Sequence, residues 1–145
     1  MVSPLGDLEQ AVVNHATEAV TKLQQFAENP LDYSPASIVT VEAMLKYLSE
    51  EQILFERQID WIETLVGAYV LEVARREFGG HYYWHDAQER PVLVVGEPSC
   101  RIAIMPFGKV KGRLLGDETD NIPFFYDGFA GSARQAEPGA NVLYV

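Results

Sequence analysis

Residues 61–80 read WIETLVGAYVLEVARREFGG, and the fold turns on them. From Trp61 to Ala74 apolar side chains fall on nearly every side of a helical turn, the mark of a buried helix rather than a surface one. Gly79-Gly80 then supplies the residues at which helices most readily stop. The spacing predicts a helix over 50–78, with Glu50 and Glu51 in its first turn. Such a helix would be about 43 Å long, whereas a compact chain of this size has a radius of gyration of about 15 Å. It must cross the whole domain or bend near Gly67.

Two shorter helices are expected before it. Leu8, Val12, Ala16, Ala19, Leu23 and Phe26 recur at steps of three and four over Asp7 to about Asn29. Asn29-Pro30 should end that helix. Ser34 is a good N-cap and Pro35 a good first residue for the next. Ile38, Val41, Leu45 and Leu48 give it one apolar stripe to about Ser49.

After Gly80 the period changes. His81 to Asp86, Arg90 to Val95 and Arg101 to Met105 read as strands joined by links short enough for hairpins. A three-stranded antiparallel meander is marginal alone and must lay one face on the helices. Tyr82 and Trp84 are expected on the core side, with His81, Tyr83 and His85 on an outer face. Beyond Met105, a short helix is expected over Pro106 to Leu115, a loop over Gly116 to Asp120, a short helix or a buried turn over the aromatic stretch Ile122 to Phe129, and a loose connector over Gly128 to Gly139. Val142-Leu143-Tyr144-Val145 reads either as a terminal strand or as a docking segment. The expected fold class is α+β. One domain spans 1–145, with three N-terminal helices packed on a small antiparallel β-meander and a short helical or irregular C-terminal segment.

Composition narrows the function classes. The 145 residues carry a formal net charge of −10, which repels phosphate backbones and anionic lipid heads. Nucleic acid and membrane surfaces are therefore poor expected partners. No run approaches the roughly 18 apolar residues of a membrane span. Met1 to Asp7 lacks the basic start and apolar run of a secretory leader, so the cytoplasm is the expected compartment. The lone cysteine, Cys100, cannot form an internal disulfide and is expected as a small buried residue. Asp7 to Glu63 holds eleven acids against Lys22, Lys46 and Arg57, while Arg101 to Arg113 holds four bases and no acid.

Glu72 is the residue that asks for an explanation. Nine residues separate it from Glu63, a rotation of about 900°, so the two point in opposite directions on one helix. Glu56, Asp60, Glu63 and Gly67 are expected on a wet face, which puts Glu72 with Trp61, Leu65 and Ala68 on the core side. A buried carboxylate must be paired or have a raised pKa. Arg76, Arg101 and Arg113 are the expected partners for a structural ion pair. The functional alternative is a pocket between this helix and the sheet, lined by Tyr69, Glu72, Trp84 and Arg101, with Glu72 as acid or base.

Other constellations fail their own tests. His81 and His85 on a strand stand roughly 13 Å apart, too far for one zinc ion. The acids from Asp117 resemble the start of a calcium loop, but the sixth position is Ile122 and the twelfth Gly128. Lys109, Lys111 and Arg113 lack the glycine-rich loop that phosphate binding needs and are expected to pair with the protein's own acids. There is no phosphate-binding Walker motif, nucleophile elbow or dinucleotide fingerprint. No metal or cofactor is expected.

Two stretches carry a resemblance. Leu31-Asp32-Tyr33-Ser34 with Ser37-Ile38 and Val41-Glu42 is one. Gly67 to Val73, followed by Gly79-Gly80 and Trp84, is the other. Together, over roughly 30–126, they resemble small bacterial proteins of unknown function in which helices precede a short sheet. The resemblance implies a bacterial source and an α+β fold, and carries no activity.

Two classes of function stand on these residues. One is a non-enzymatic interaction or regulatory domain, of immunity or inhibitor type, whose acidity suits a basic protein partner. The other is the Glu72 pocket, binding or enzymatic. A homodimer through the C-terminal segment is compatible with either.

Overall fold

The computed structural model describes residues 6–145. Five α-helices and a four-stranded sheet follow in the order α1 (Asp7–Leu23), α2 (Ser37–Glu51), α3 (Glu56–Phe78), β1 (His81–His85), β2 (Arg90–Val95), β3 (Arg101–Ile104), α4 (Phe107–Leu114), α5 (Ile122–Gln135), β4 (Asn141–Tyr144). Helices lead and the sheet follows, so the α+β class holds.

The first two helices form for the reasons their spacing gives. α1 buries Val12, Ala16, Ala19 and Leu23, and a single 3-10 turn over Gln24–Phe26 prolongs it. α2 begins at Ser37, two residues later than the Ser34-Pro35 start expected, with Ala36 at its N-cap and no side-chain capping bond; Ser34 Oγ accepts from the Ser37 N–H at 3.2 Å in the turn that leads into it. α2 then buries Ile38, Val41, Met44, Leu45 and Leu48.

The long helix is divided. α2 runs on through Glu51, Gln52 and Phe55 are extended, and α3 begins at Glu56. The expected helix over 50–78 therefore loses its first turn and a half. The apolar run Ile53-Leu54-Phe55 lies in this connection, between the two helices.

α3 is the core of the molecule, buried without interruption from Leu65 to Ala74. It packs on α1, α4 and β2. This removes the wet face expected at Glu63 and Gly67, both of which are buried. Gly67 is the reason. A Cβ there would stand 2.2 Å from Phe107 Cδ1, so the missing side chain is the socket for an α4 ring. Helix propensity alone favours Gly67→Ala by about 1 kcal/mol, but displacing a buried ring costs about 1–3 kcal/mol. Packing should win. We expect Gly67→Ala to lower the urea midpoint; an unchanged or raised midpoint would contradict this seat for Phe107.

Gly79 and Gly80 both have positive φ, 76° and 102°, and turn the chain from α3 directly into β1. β1, β2 and β3 form the expected antiparallel meander, with Tyr82 opposite Leu93 and Val95 opposite Ile102. Leu93, Val95, Ile102 and Ile104 face the helices, while Val92, Val94 and Met105 make a small cluster on the outer face. Cys100 is buried and free.

Two features of the C-terminal third differ from expectation. β4 adds to β3 in parallel, so the sheet is mixed, in the order β1-β2-β3-β4. Residues 128–135 are helical rather than a loose connector. Ile122, Phe125, Tyr126, Phe129, Ala130 and Ala133 form one apolar stripe along α5, and Asn121 caps it by accepting from the Phe124 N–H at 2.9 Å. That stripe outweighs the poor helix propensity of Gly128 and Gly131. The Tyr144 ring lies beside Gly128 on the helix, at a distance that would also accommodate a Cβ. No helix among the described residues is long and apolar enough to cross a membrane.

Candidate functional site

Glu72 occupies the place where α3, β1 and α1 meet. The turn at Gly79-Gly80 leads into β1, which packs against α1 and carries Tyr82 to the carboxylate. Tyr82 donates its phenolic O–H to Glu72 Oε2 at 2.6 Å. Arg75, three residues on, donates to both oxygens, from Nε at 2.6 Å and from Nη2 at 2.8 Å. The fork geometry is the strong, bidentate kind. Arg75 also reaches Glu9 of α1 at 3.9 Å.

Glu72 is 1% exposed. Burial pushes its pKa up, but the hydrogen bonds from Arg75 and Tyr82, with the charges of Arg75 and Arg76, outweigh that. The carboxyl is held below its ordinary value of about 4.5. The same contacts push Tyr82 strongly up, through burial first and the Glu72 charge next. Glu72 is thus an ionised carboxylate with its acceptors occupied, and Tyr82 a neutral donor. A general acid or base needs the opposite: a poised pKa and an open lone pair.

The partners differ from those expected. Arg76 does not meet Glu72 by a hydrogen bond; its guanidinium lies 3.7 Å over the Tyr33 ring. Arg113 pairs with Glu42 at 2.6 Å. Arg101 pairs with Glu97 at 3.4 Å and stands beside the Tyr83 ring. Tyr83 lies on the outer sheet face, so the sheet separates Arg101 from Glu72.

The other residues of the expected pocket are dispersed as well. Tyr69 Oη accepts from the Tyr33 N–H at 2.9 Å and shares a 2.7 Å hydrogen bond with Ser37 Oγ, holding the entry to α2. Tyr33 has φ 66° and stacks on Tyr69 with ring centroids 4.9 Å apart. Trp84 is half-exposed at the β1 edge and lines a small cavity with Leu8, Val12 and His15. The structure does not bring Tyr69, Glu72, Trp84 and Arg101 around one space, and Glu72 lines none of the five principal cavities.

Elsewhere the polar groups are paired. Lys109, Lys111 and Arg113 meet Asp120, Asp60 and Glu42. Glu63 meets Arg90 at 3.2 Å, yet burial pushes its pKa up, against the charges of Arg90 and Lys111. Among the described residues no buried side-chain N or O atom lacks a partner, and no group of three or more His, Cys, Asp or Glu comes together for a metal ion.

The feature that sequence reasoning missed lies at the α2–α3 corner. Ile53 is 89% exposed, Phe55 72% and Trp61 42%. Phe55 and Trp61 line an open groove of about 660 Å³ with Arg57, Gln58 and Asp60. Glu50, Glu51 and Glu56 are exposed around the same corner. The signal was present in Ile53-Leu54-Phe55, an apolar run between acidic stretches. It was hidden by the assumption that one helix covers it.

Comparison with protein-family models, curated proteins and solved structures finds no match for this chain. The corner and the Glu72 cluster therefore have to be read on their chemistry alone.

Proposed function

We propose that the chain is a non-enzymatic interaction domain that docks a basic, amphipathic segment of another protein at the α2–α3 corner. The observation that carries this reading is the juxtaposition of Ile53, Phe55 and Trp61, exposed and apolar, with the carboxylates of Glu50, Glu51, Glu56 and Asp60. Exposed apolar groups rimmed by polar ones mark interaction sites, and aromatic anchors supply most of the energy at such sites. Arg57 is the one base between Glu50 and Glu63. A partner with lysines or arginines flanking an apolar face complements both the patch and the net charge of −10. An immunity or inhibitor protein that covers a basic surface is one form of this function.

A synthetic helix of leucine and lysine is a suitable probe. Calorimetric titration should give saturable binding that weakens as salt rises. Each anchor side chain contributes about 1.5–3 kcal/mol when fully buried, so Ile53→Ser/Phe55→Ser should weaken binding by about tenfold or more. Serine leaves every charge in place. Undiminished binding by that variant would show that only bulk charge is at work and would overturn the proposal.

A further inference from the structure

β4 lies at the edge of the sheet, and its open side is unprotected. Arg101 N–H donates to Ala140 O and Met105 N–H to Tyr144 O, each at 2.8 Å. Alternate residues of a strand turn their backbone groups to opposite sides. Residues 140, 142 and 144 therefore serve β3, while Asn141, Leu143 and Val145 turn theirs away from the sheet. Natural edges are blunted by charge, proline, a bulge or a covering element. The stretch Asn141-Val142-Leu143-Tyr144-Val145 has no charged side chain and no proline. The other edge, β1, is packed against α1.

The outward edge is uncharged and apolar at Leu143 and Val145, and the groove beside it carries one charge of each sign, Lys109 and Asp127, so its surface is complementary to itself. We propose that β4 pairs with β4 of a second copy, antiparallel, about a two-fold axis at Leu143. In that register Leu143 exchanges both backbone hydrogen bonds with the partner's Leu143, and Asn141 does so with the partner's Val145. Across the seam Leu143 meets the partner's Leu143, and Val142 meets the partner's Tyr144. A closed two-fold contact needs a self-complementary patch, and these pairs are apolar on both faces.

The ground beside the strand suits the same occupant. Phe124 is 81% exposed, and with Leu143, Tyr144 and Val145 it lines an open groove of about 620 Å³. Lys109 and Asp127 line the same groove, one charge of each sign. Two copies meeting there are locally balanced, although each carries −10 overall. Phe124 offers on the order of 150 Å² of apolar surface. With one short strand this stays well below the roughly 800 Å² per partner of a standard interface. The association is therefore weak, in the micromolar range or above, and reads the edge rather than a large face.

Sedimentation velocity over protein concentrations from about 1 to 500 µM tests this directly. The mass should rise from monomer toward dimer. Leu143→Pro removes an N–H that the monomer's own ladder does not use, so it should stay monomeric throughout with an unchanged melting temperature. If that variant is unstable, Leu143→Lys keeps the N–H, places a charge at the seam, and must likewise stay monomeric. Amide exchange at Leu143 should slow as concentration rises. A wild-type chain that remains monomeric over the range overturns the proposal. So does a dimer that survives both Leu143 variants, or one lost instead in Ile53→Ser/Phe55→Ser.

Discussion

Glu42→Ala will cost about 3–5 kcal/mol of folding stability, the largest effect expected of any single substitution here. Glu42 ties three helices together. Its Oε2 accepts from Arg113 Nε of α4 at 2.6 Å, and its Oε1 accepts from the Ile122 N–H of α5 at 3.0 Å. The Arg113 side chain is almost wholly buried. Alanine would leave a buried guanidinium without its counter-charge and a helix N-terminal N–H without its acceptor. Against a typical total of about 5–15 kcal/mol, the loss is large. Urea unfolding with coincident optical probes measures it. The double variant Glu42→Leu/Arg113→Met should recover much of the loss, because removing both charges leaves no unpaired ion. A single-variant cost below about 1 kcal/mol would contradict the pairing.

Glu72→Gln ranks next, at about 2–4 kcal/mol. Its cost is smaller because Arg75 is partly exposed and can turn to water or to Glu9. The pH dependence follows from the direction of the shift. The folded-state pKa of Glu72 lies below the ordinary value of about 4.5. Its contribution is therefore complete above the ordinary value and is lost as pH falls through the lower, folded one. Glu63 has the opposite sign, since burial raises its pKa. As pH falls, the folded state takes up that proton before the unfolded state does, and stability gains until the ordinary value is passed. Glu72→Gln should flatten the acid decline below about pH 4.5, whereas Glu63→Gln should cost little and leave that decline in place. Stability curves from pH 2 to pH 8 for the two variants distinguish them, and a steep acid decline retained in Glu72→Gln would count against the buried pair.

The helices-then-sheet order was legible because each period is local. The junction at Gly79-Gly80 stands where two positive-φ residues are needed, and the inner sheet face follows from alternation alone. Rotation about one helix also placed Glu72 in the core. The same rotation failed for Glu63 and Gly67, because it assumes that one side of a helix meets water. α3 has α1 on one flank and the Phe107 ring seated at Gly67 on another, and neither contact is local in sequence. Arg75 was passed over for Arg76 since both lie within one turn of Glu72; the choice is made by β1, which places Tyr82 on the Arg75 side. The parallel pairing of β4 depends on α5, whose aromatic first half was legible as a short helix or a buried turn but whose continuation to Gln135 was concealed by Gly128 and Gly131. The exposed apolar corner at Ile53 and Phe55 was hidden by a misplaced helix start. An apolar run set between glutamates belongs to the core only where a helix carries one of its faces inward, and residues 52–55 are not helical.

The proposed docking corner is tested most directly by following backbone amide shifts while the leucine–lysine helix is added to the isotopically labelled chain. The largest changes should fall between Gln52 and Trp61, and they should disappear in Ile53→Ser/Phe55→Ser while the remaining spectrum keeps its dispersion. Changes spread along the acidic face of α1, or centred on β4, would contradict the corner as the interaction site.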